Sequence, residues 1–316
     1  MSVPFRLLPL DGAQSATRLD SLALCLLLLT GVVALGVLLL MIVFCVRYRA
    51  ASTASREHPP AKGRLVEISW TVIPMLLFLV LYAWGAVDYV SLYRPDPAAT
   101  PVFVVAKQWM WKAEHRNGRR EVGQLHLPLG RPVRVVLTAQ DVIHSFFVPA
   151  FRIKQDAVPG RYTSINFTPS RAGEYQLFCA EFCGTEHSTM TGKIVVMPPA
   201  EYAQWLAAGP RQPGMAARGF ALFRSYGCSG CHAAGSSVHA PDLSNLLGRR
   251  VHLQDGRVLT ADEAYVRDSI LVPRKDIVAG YEPIMPSFAG QIGEEDLLAI
   301  IEYIRESGHD QPTERP

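Results

Sequence analysis

Residues 21–46, "SLALCLLLLTGVVALGVLLLMIVFCV", run for 26 positions without a charged side chain. A helix of that length rises about 39 Å, enough to cross a hydrocarbon core of roughly 30 Å with some tilt. A secretory leader fits poorly, because its apolar region spans only about 7–15 residues close to the start. Lipid attachment at "LALC" fits poorly too, since Leu24 is bulky where a small residue precedes the modified cysteine. A second span, "ISWTVIPMLLFLVLYAWGAVDYVSL" at 68–92, contains Pro74 and, near its far end where water is close, Asp88. The chain therefore opens as an N-terminal tail (1–20) and a two-helix transmembrane hairpin (21–94). The loop between the spans carries Arg47, Arg49, Arg56, Lys62 and Arg64, against Arg6 and Arg18 in the tail. This excess favours the loop in the cytoplasm and both termini outside, which in a bacterial inner membrane is the periplasmic side.

The remaining sequence is of ordinary mixed composition and long enough for two further domains. A formal net charge of +3, with no basic run interleaved with aromatics, argues against nucleic acid as a partner. From Pro101 to Met197 the pattern is short alternating runs such as "RPVRVVLTA", "YTSINFT" and "GKIVVM", punctuated by Gly, Pro and Asn. That pattern predicts an all-β sandwich or barrel, assigned to 95–198. Cys25 and Cys45 lie in the first apolar span, where a thiol acts as a small hydrophobe. Cys179, Cys183, Cys228 and Cys231 form two close-set pairs, better suited to a metal or cofactor than to a disulfide framework.

The first pair lies in "CAEFCGTEHSTM", residues 179–190, with His187 and Met190; His144 stands upstream in "DVIHSFFVP". Tetrahedral zinc could take the two cysteines and two histidines but would leave the methionine unused. A single blue-copper ion would leave a cysteine over. Two thiolates, two imidazoles and a thioether suit two copper ions that share sulfurs. The spacing C-x-E-x-C-x₃-H-x₂-M with an upstream histidine resembles the dinuclear copper (CuA) loop of cytochrome c oxidase subunit II. The resemblance implies a cupredoxin-like Greek-key domain in which Cys179 and Cys183 bridge the coppers and His144 and His187 cap them. It makes Met190 a weak ligand and gives Glu181 a carbonyl ligand role. It further implies that the Glu181 carboxylate helps hold Mg²⁺ at the interface with subunit I. "QWMW" resembles the family's aromatic segment beside the copper, making Trp109 the residue through which electrons enter; Met110 replaces the usual tyrosine, and Trp111 reads as strand packing. "VEISWTVIP" resembles the start of the family's second helix, making Glu67 a candidate for proton uptake, against the simpler reading of a solvated helix start.

A segment at 199–213, partly helical and then Gly/Pro-rich, reads as a linker to a third domain at 214–316. There "CSGCH" is the attachment motif of c-type haem: Cys228 and Cys231 for the thioethers, His232 for the iron. A thioredoxin-like use of the cysteines lacks the surrounding βαβ pattern. Met285 in "YEPIMPSF", before the amphipathic "GEEDLLAIIEYIRES", resembles the distal methionine loop and last helix of small cytochromes c. Pro241 matches the family proline whose carbonyl accepts the proximal imidazole N–H. The third domain is thus expected to be an all-α cytochrome c. His126, His239, His252 and His309 read as surface or packing residues.

The resemblance implies an electron-transferring subunit of a terminal oxidase. Electrons would pass from an external donor (a cytochrome c or a quinol-oxidising complex) through haem c and CuA to subunit I, with subunit III as a further partner. A nitric oxide reductase subunit and a membrane-tethered shuttle without an enzyme partner remain alternatives. Charge adds one expectation. Residues 214–316 hold 10 Lys/Arg and 14 Asp/Glu, a balance of −4, and residues 95–198 hold 12 and 8, a balance of +4. The third domain is therefore expected to dock on the second, with Trp109 as its landing point.

Overall fold

The computed structural model describes residues 10–55, 63–94, 96–208, 213–233 and 235–307. Of the positions named above, Arg6, Arg56, Lys62 and His309 lie outside the described residues, as do 209–212 of the linker. The apolar spans are α1 (Gln14–Arg47) and α2 (Gly63–Tyr93), each long and apolar enough to cross a bilayer. Leu27 and Phe78 on their flanks are 62% and 71% exposed, which lipid would cover.

Ten strands follow: β1 (Thr100–Lys107), β2 (Met110–His115), β3 (Arg120–Val122), β4 (Gln124–Pro128), β5 (Val133–Ala139), β6 (His144–Val148), β7 (Ile153–Ala157), β8 (Thr163–Phe167), β9 (Gly173–Cys179) and β10 (Thr191–Met197). They form two five-stranded sheets, ordered β3-β2-β1-β5-β8 and β4-β10-β9-β6-β7. The β1–β5 and β10–β4 pairs are parallel, and the rest are antiparallel. Alternation sends Val102, Val104, Val135 and Leu137 of one sheet against Leu125, Leu127, Phe146 and Ile194 of the other, and all are buried.

The chain start is stitched into the base of this sandwich. Gly12 N donates to the Ala150 carbonyl at 2.8 Å, Ser15 Oγ donates to the Phe151 carbonyl at 2.7 Å, and Ala13 bridges Pro169. Arg152 holds Asp20 through two bonds of 2.8 Å. The Asn166 amide donates to the carbonyls of Leu92 and Arg94, satisfying the open end of α2. Both membrane helices are thereby tied to the same domain.

The linker begins as part of the sandwich as well. In α3 (Pro199–Ala207), the Tyr202 hydroxyl meets His115 Nδ1 at 3.0 Å and Trp205 stacks on His126 with centroids 4.3 Å apart. The buried Glu121 carboxylate bridges the two imidazoles, 2.9 Å from His115 Nε2 and 2.5 Å from His126 Nδ1.

The last domain comprises α4 (Met215–Ser225), α5 (Ser229–His232), α6 (Glu263–Leu271) and α7 (Glu294–Glu306). Asp262 caps α6, its side chain accepting from Tyr265 N at 2.8 Å. α4 crosses α7 so closely that a Cβ on Gly219 would sit 1.9 Å from the Ala299 carbonyl oxygen. The domain is not purely helical: Arg250–His252 (β11) pairs with Val258–Thr260 (β12). The turn between them contains Asp255-Gly256, with Gly256 at φ +85°, a short-range hairpin signal. Phe223, Val266, Ile270, Leu297, Ile300 and Ile304 form its core.

Candidate functional site

His144 opens β6 and Cys179 closes β9; these strands are neighbours, with Phe146 opposite Cys179. The loop from Ala180 folds back over their ends before β10 begins. Gly184, at φ +119°, allows the close return: a Cβ there would lie 2.8 Å from Gln108 Nε2 and 3.3 Å from the Trp109 ring. A short 3-10 turn, His187–Thr189, then swings Met190 inward.

The six expected ligand groups converge. Cys179 Sγ and Cys183 Sγ are 3.8 Å apart, and Cys179 Sγ lies 4.0 Å from His144 Nδ1 and 3.2 Å from the Glu181 carbonyl oxygen. Cys183 Sγ lies 3.4 Å from His187 Nδ1 and 3.7 Å from Met190 Sδ. Cys179, Cys183 and His144 form a buried cluster able to hold a metal ion. This donor set exceeds the four ligands of tetrahedral zinc and is soft at its centre, so it fits two coppers sharing thiolates. Burial opposes ionisation of both thiols. At Cys179, the interaction with His144 and hydrogen bonding to nearby backbone groups outweigh burial and hold the thiol below its ordinary value. At Cys183, burial and the neighbouring Cys179 push it up.

Two residues that sequence reasoning missed orient these ligands. Asp141 accepts from Gln108 N and Val142 N, each at 2.7 Å, and lies 2.8 Å from His144 Nε2. Holding Nε2–H in this way leaves Nδ1 aimed at the sulfurs. Gln108 Nε2 donates to the Cys183 carbonyl at 2.8 Å. A carboxylate three residues before a ligating histidine was the available signal. Trp109 packs on the loop beside Gly184, while Trp111 is buried edge-on to His144 and Phe146. Glu181 exposes its carboxylate, and Glu67 is exposed near the start of α2.

In the last domain, Cys228, Cys231, His232, Pro241 and Met285 all line one cavity of about 280 Å³, whose wall is mostly apolar and includes Val266, Ile270, Ile300 and Ile304. His232 Nδ1 lies 3.0 Å from the Pro241 carbonyl oxygen, which leaves Nε2 free to act as a ligand atom. An apolar cavity with paired thiols, an oriented imidazole and a thioether fits a covalent haem.

Three family models match: "Cytochrome C oxidase subunit II, transmembrane domain" over residues 10–85, "Cytochrome C oxidase subunit II, periplasmic domain" over 102–197, and "Cytochrome c" over 216–308. Cytochrome c oxidase subunit 2 of Alkalihalophilus pseudofirmus is 29% identical, over 93% of this chain and 88% of that one. The protein of the same name from Vanderwaltozyma polyspora is 33% identical, over 50% of this chain and 76% of that one. A crystal structure of the periplasmic domain of subunit II of cytochrome oxidase from Bradyrhizobium japonicum is 28% identical, covering 35% of this chain and 94% of that one with a TM-score of 0.34. The chain belongs to the cytochrome c oxidase subunit II family, with a cytochrome c domain fused at its C-terminal end.

Proposed function

We propose that this chain carries electrons from an external donor, a cytochrome c or a quinol-oxidising complex, to subunit I of a haem–copper oxidase, where oxygen is reduced. The observation that carries the reading is the convergence, in one chain, of two thiols, two imidazoles, a thioether and a backbone carbonyl at the sandwich rim, and of two thiols, an imidazole and a thioether around one cavity. His144, Cys179, Cys183, His187, Met190 and the Glu181 carbonyl would hold two coppers. Cys228, Cys231, His232 and Met285 would hold haem c. Bound there, these groups supply one-electron chemistry.

The residues themselves do positional work. The Pro241 carbonyl fixes the ring plane of His232, and Asp141 fixes that of His144. Buried Met190, 3.7 Å from Cys183 Sγ, keeps water from the sulfur, and buried Trp111 covers the His144 ring edge-on. Trp109, against the ligand loop, is the proposed point where electrons enter the copper centre. The exposed Glu181 carboxylate is available for Mg²⁺ at the subunit I interface, and Glu67 for proton uptake at the cytoplasmic face. The reading places both termini and both cofactor domains on the periplasmic side of a bacterial inner membrane, with subunit III as a further partner.

The test is purification with partner subunits from the native membrane. Two coppers per chain, haem retained on a denaturing gel, and turnover of O₂ rather than NO are expected. One zinc per chain, or turnover of NO alone, would refute the assignment.

A further inference from the structure

The strand "VFVVA" is apolar at both parities. Val102, Val104 and Ala106 face the sandwich core, so Phe103 and Val105 face outward, together with Val136 of β5. An unpartnered sheet face would leave these three in water, yet Phe103, Val105 and Val136 are 2%, 3% and 2% exposed. Met215 of α4 and Leu298 of α7 cover them.

Five ion pairs between described residues surround this patch. Lys112 meets Glu295 at 2.7 Å, Arg116 meets Glu302 at 2.5 Å and Glu306 at 3.3 Å, Arg134 meets Glu263 at 3.0 Å, and Arg218 meets Glu114 at 2.9 Å. In four of the five the cation belongs to the sandwich, in keeping with the opposite net charges of the two domains. Tyr162, between β7 and β8, enters the seam beside Arg267 and Glu294: its ring centroid is 5.7 Å from the guanidinium and its hydroxyl is 3.5 Å from the carboxylate. The chain also crosses under restraint, since Met215 N donates to the Arg116 carbonyl at 3.0 Å.

We propose that this seam is a permanent joint, in which the cytochrome c domain keeps one pose on the sandwich rather than swinging on a tether. The apolar patch supplies adhesion that salt does not screen. The buried acids supply register. Glu302, Glu263 and Glu114 are all buried; each keeps an arginine of its own domain (Arg305 for Glu302 and Glu263, Arg120 for Glu114), and only this pose adds the second, cross-seam cation to each. The joint lies on β1, β2 and β5, whereas Trp109 packs on the ligand loop; it therefore does not use Trp109 as its landing point. α7 becomes the shared wall: Ile300 and Ile304 line the cavity, while Glu295, Leu298 and Glu302 meet the sheet. The functional meaning of a fixed pose rests on the proposed electron-transfer role, but its existence does not.

The test uses the full chain in detergent with a protease site inserted between Ala208 and Pro213. After cutting, gel filtration in 0.05 M and 1 M NaCl follows the C-terminal fragment by mass and, separately, by haem absorbance. Co-elution of the fragment with the membrane-anchored part at both salt concentrations is expected. Release of the wild-type fragment at either concentration would overturn the joint. Phe103→Asp, which changes only the sandwich side, should weaken retention at least tenfold while the released fragment keeps its wild-type melting curve. Retention unchanged in Phe103→Asp would also overturn it. Loss of haem absorbance with the mass signal still co-eluting would count against the haem assignment and leave the joint standing.

Discussion

Asp141 offers a direct measure of how much of the copper affinity depends on orientation. In Asp141→Ala, three donors lose their acceptor at once: His144 Nε2, Gln108 N and Val142 N, held at 2.8, 2.7 and 2.7 Å. The His144 ring can then turn about its Cα–Cβ–ring torsions, and Nδ1 is no longer fixed toward Cys179. Loss of such an outer partner typically costs 10–100-fold in metal affinity, about 1.4–2.8 kcal/mol. The Asp141 side chain is 23% exposed, so water can partly replace it. The lower half of the range, about 10–30-fold, is therefore expected. Asp141→Asn can still accept from His144 Nε2 and Val142 N through its oxygen but turns its NH₂ toward Gln108 N–H, so an intermediate loss is expected. The assay is competition for Cu(I) between the full-length chain in detergent and a coloured chelator, with the visible spectrum of the loaded protein as a second readout. Affinity and spectrum both unchanged in Asp141→Ala would show that the carboxylate does not orient His144.

Met285→Ala should keep haem on the chain in a denaturing gel yet lose the low-spin Met/His spectrum, and an unaltered spectrum would assign the sixth ligand elsewhere. Gly219→Ala drives a methyl to 1.9 Å from the Ala299 carbonyl oxygen. It should destabilise the cytochrome c domain by about 1–3 kcal/mol or more, read from its melting curve; an unshifted curve would contradict the α4–α7 crossing. At Glu121 burial favours the neutral form, but hydrogen bonds from His115 and His126 prevail and hold the carboxyl below its ordinary value of 4.5. A depressed carboxyl contributes stability above its unfolded value and loses it as pH falls through the folded one. Thermal unfolding followed by Trp205 fluorescence should therefore weaken below about pH 4.5, and Glu121→Gln should flatten that dependence while lowering stability at pH 7. Equal pH slopes in the two proteins would rule this out.

The donor groups were legible in the sequence because they stand close together there: Cys179, Cys183, His187 and Met190 share twelve residues, and Cys228, Cys231 and His232 share five. Asp141 and Gln108 were not, because a polar residue that orients a ligand looks like any other loop residue until its acceptor or donor is located. The chain start was read as a tail because Gly12, Ala13, Ser15 and Ala16 carry no apolar bulk. Yet a Cβ on Gly12 would sit 2.5 Å from the Phe151 ring and 2.7 Å from the Tyr175 ring, and Ala13, Ser15 and Ala16 are buried. The linker's helical start was legible, but where it packs was not. Tyr202 and Trp205 reach partners on β2 and β4, about 80–90 residues earlier in the chain, and no local pattern reports a pairing at that separation.

α7 shows where amphipathic reasoning stops. Leu297, Ile300, Ile301 and Ile304 form the apolar stripe expected of a helix lying on its own core. Glu295, Glu302 and Glu306 lie on the other side, and by themselves they read as a solvated face. They face a sheet whose outward residues are Phe103, Val105 and Val136 at the centre and Lys112, Arg116 and Arg134 around them. An acidic stripe interrupted by one leucine, Leu298, matches an apolar patch ringed by cations. Neither half is informative alone, because a charged face is ordinary and a strand apolar at both parities is ordinary in a buried sheet. Together, within one chain and with opposite net charges, they describe two halves of one interface.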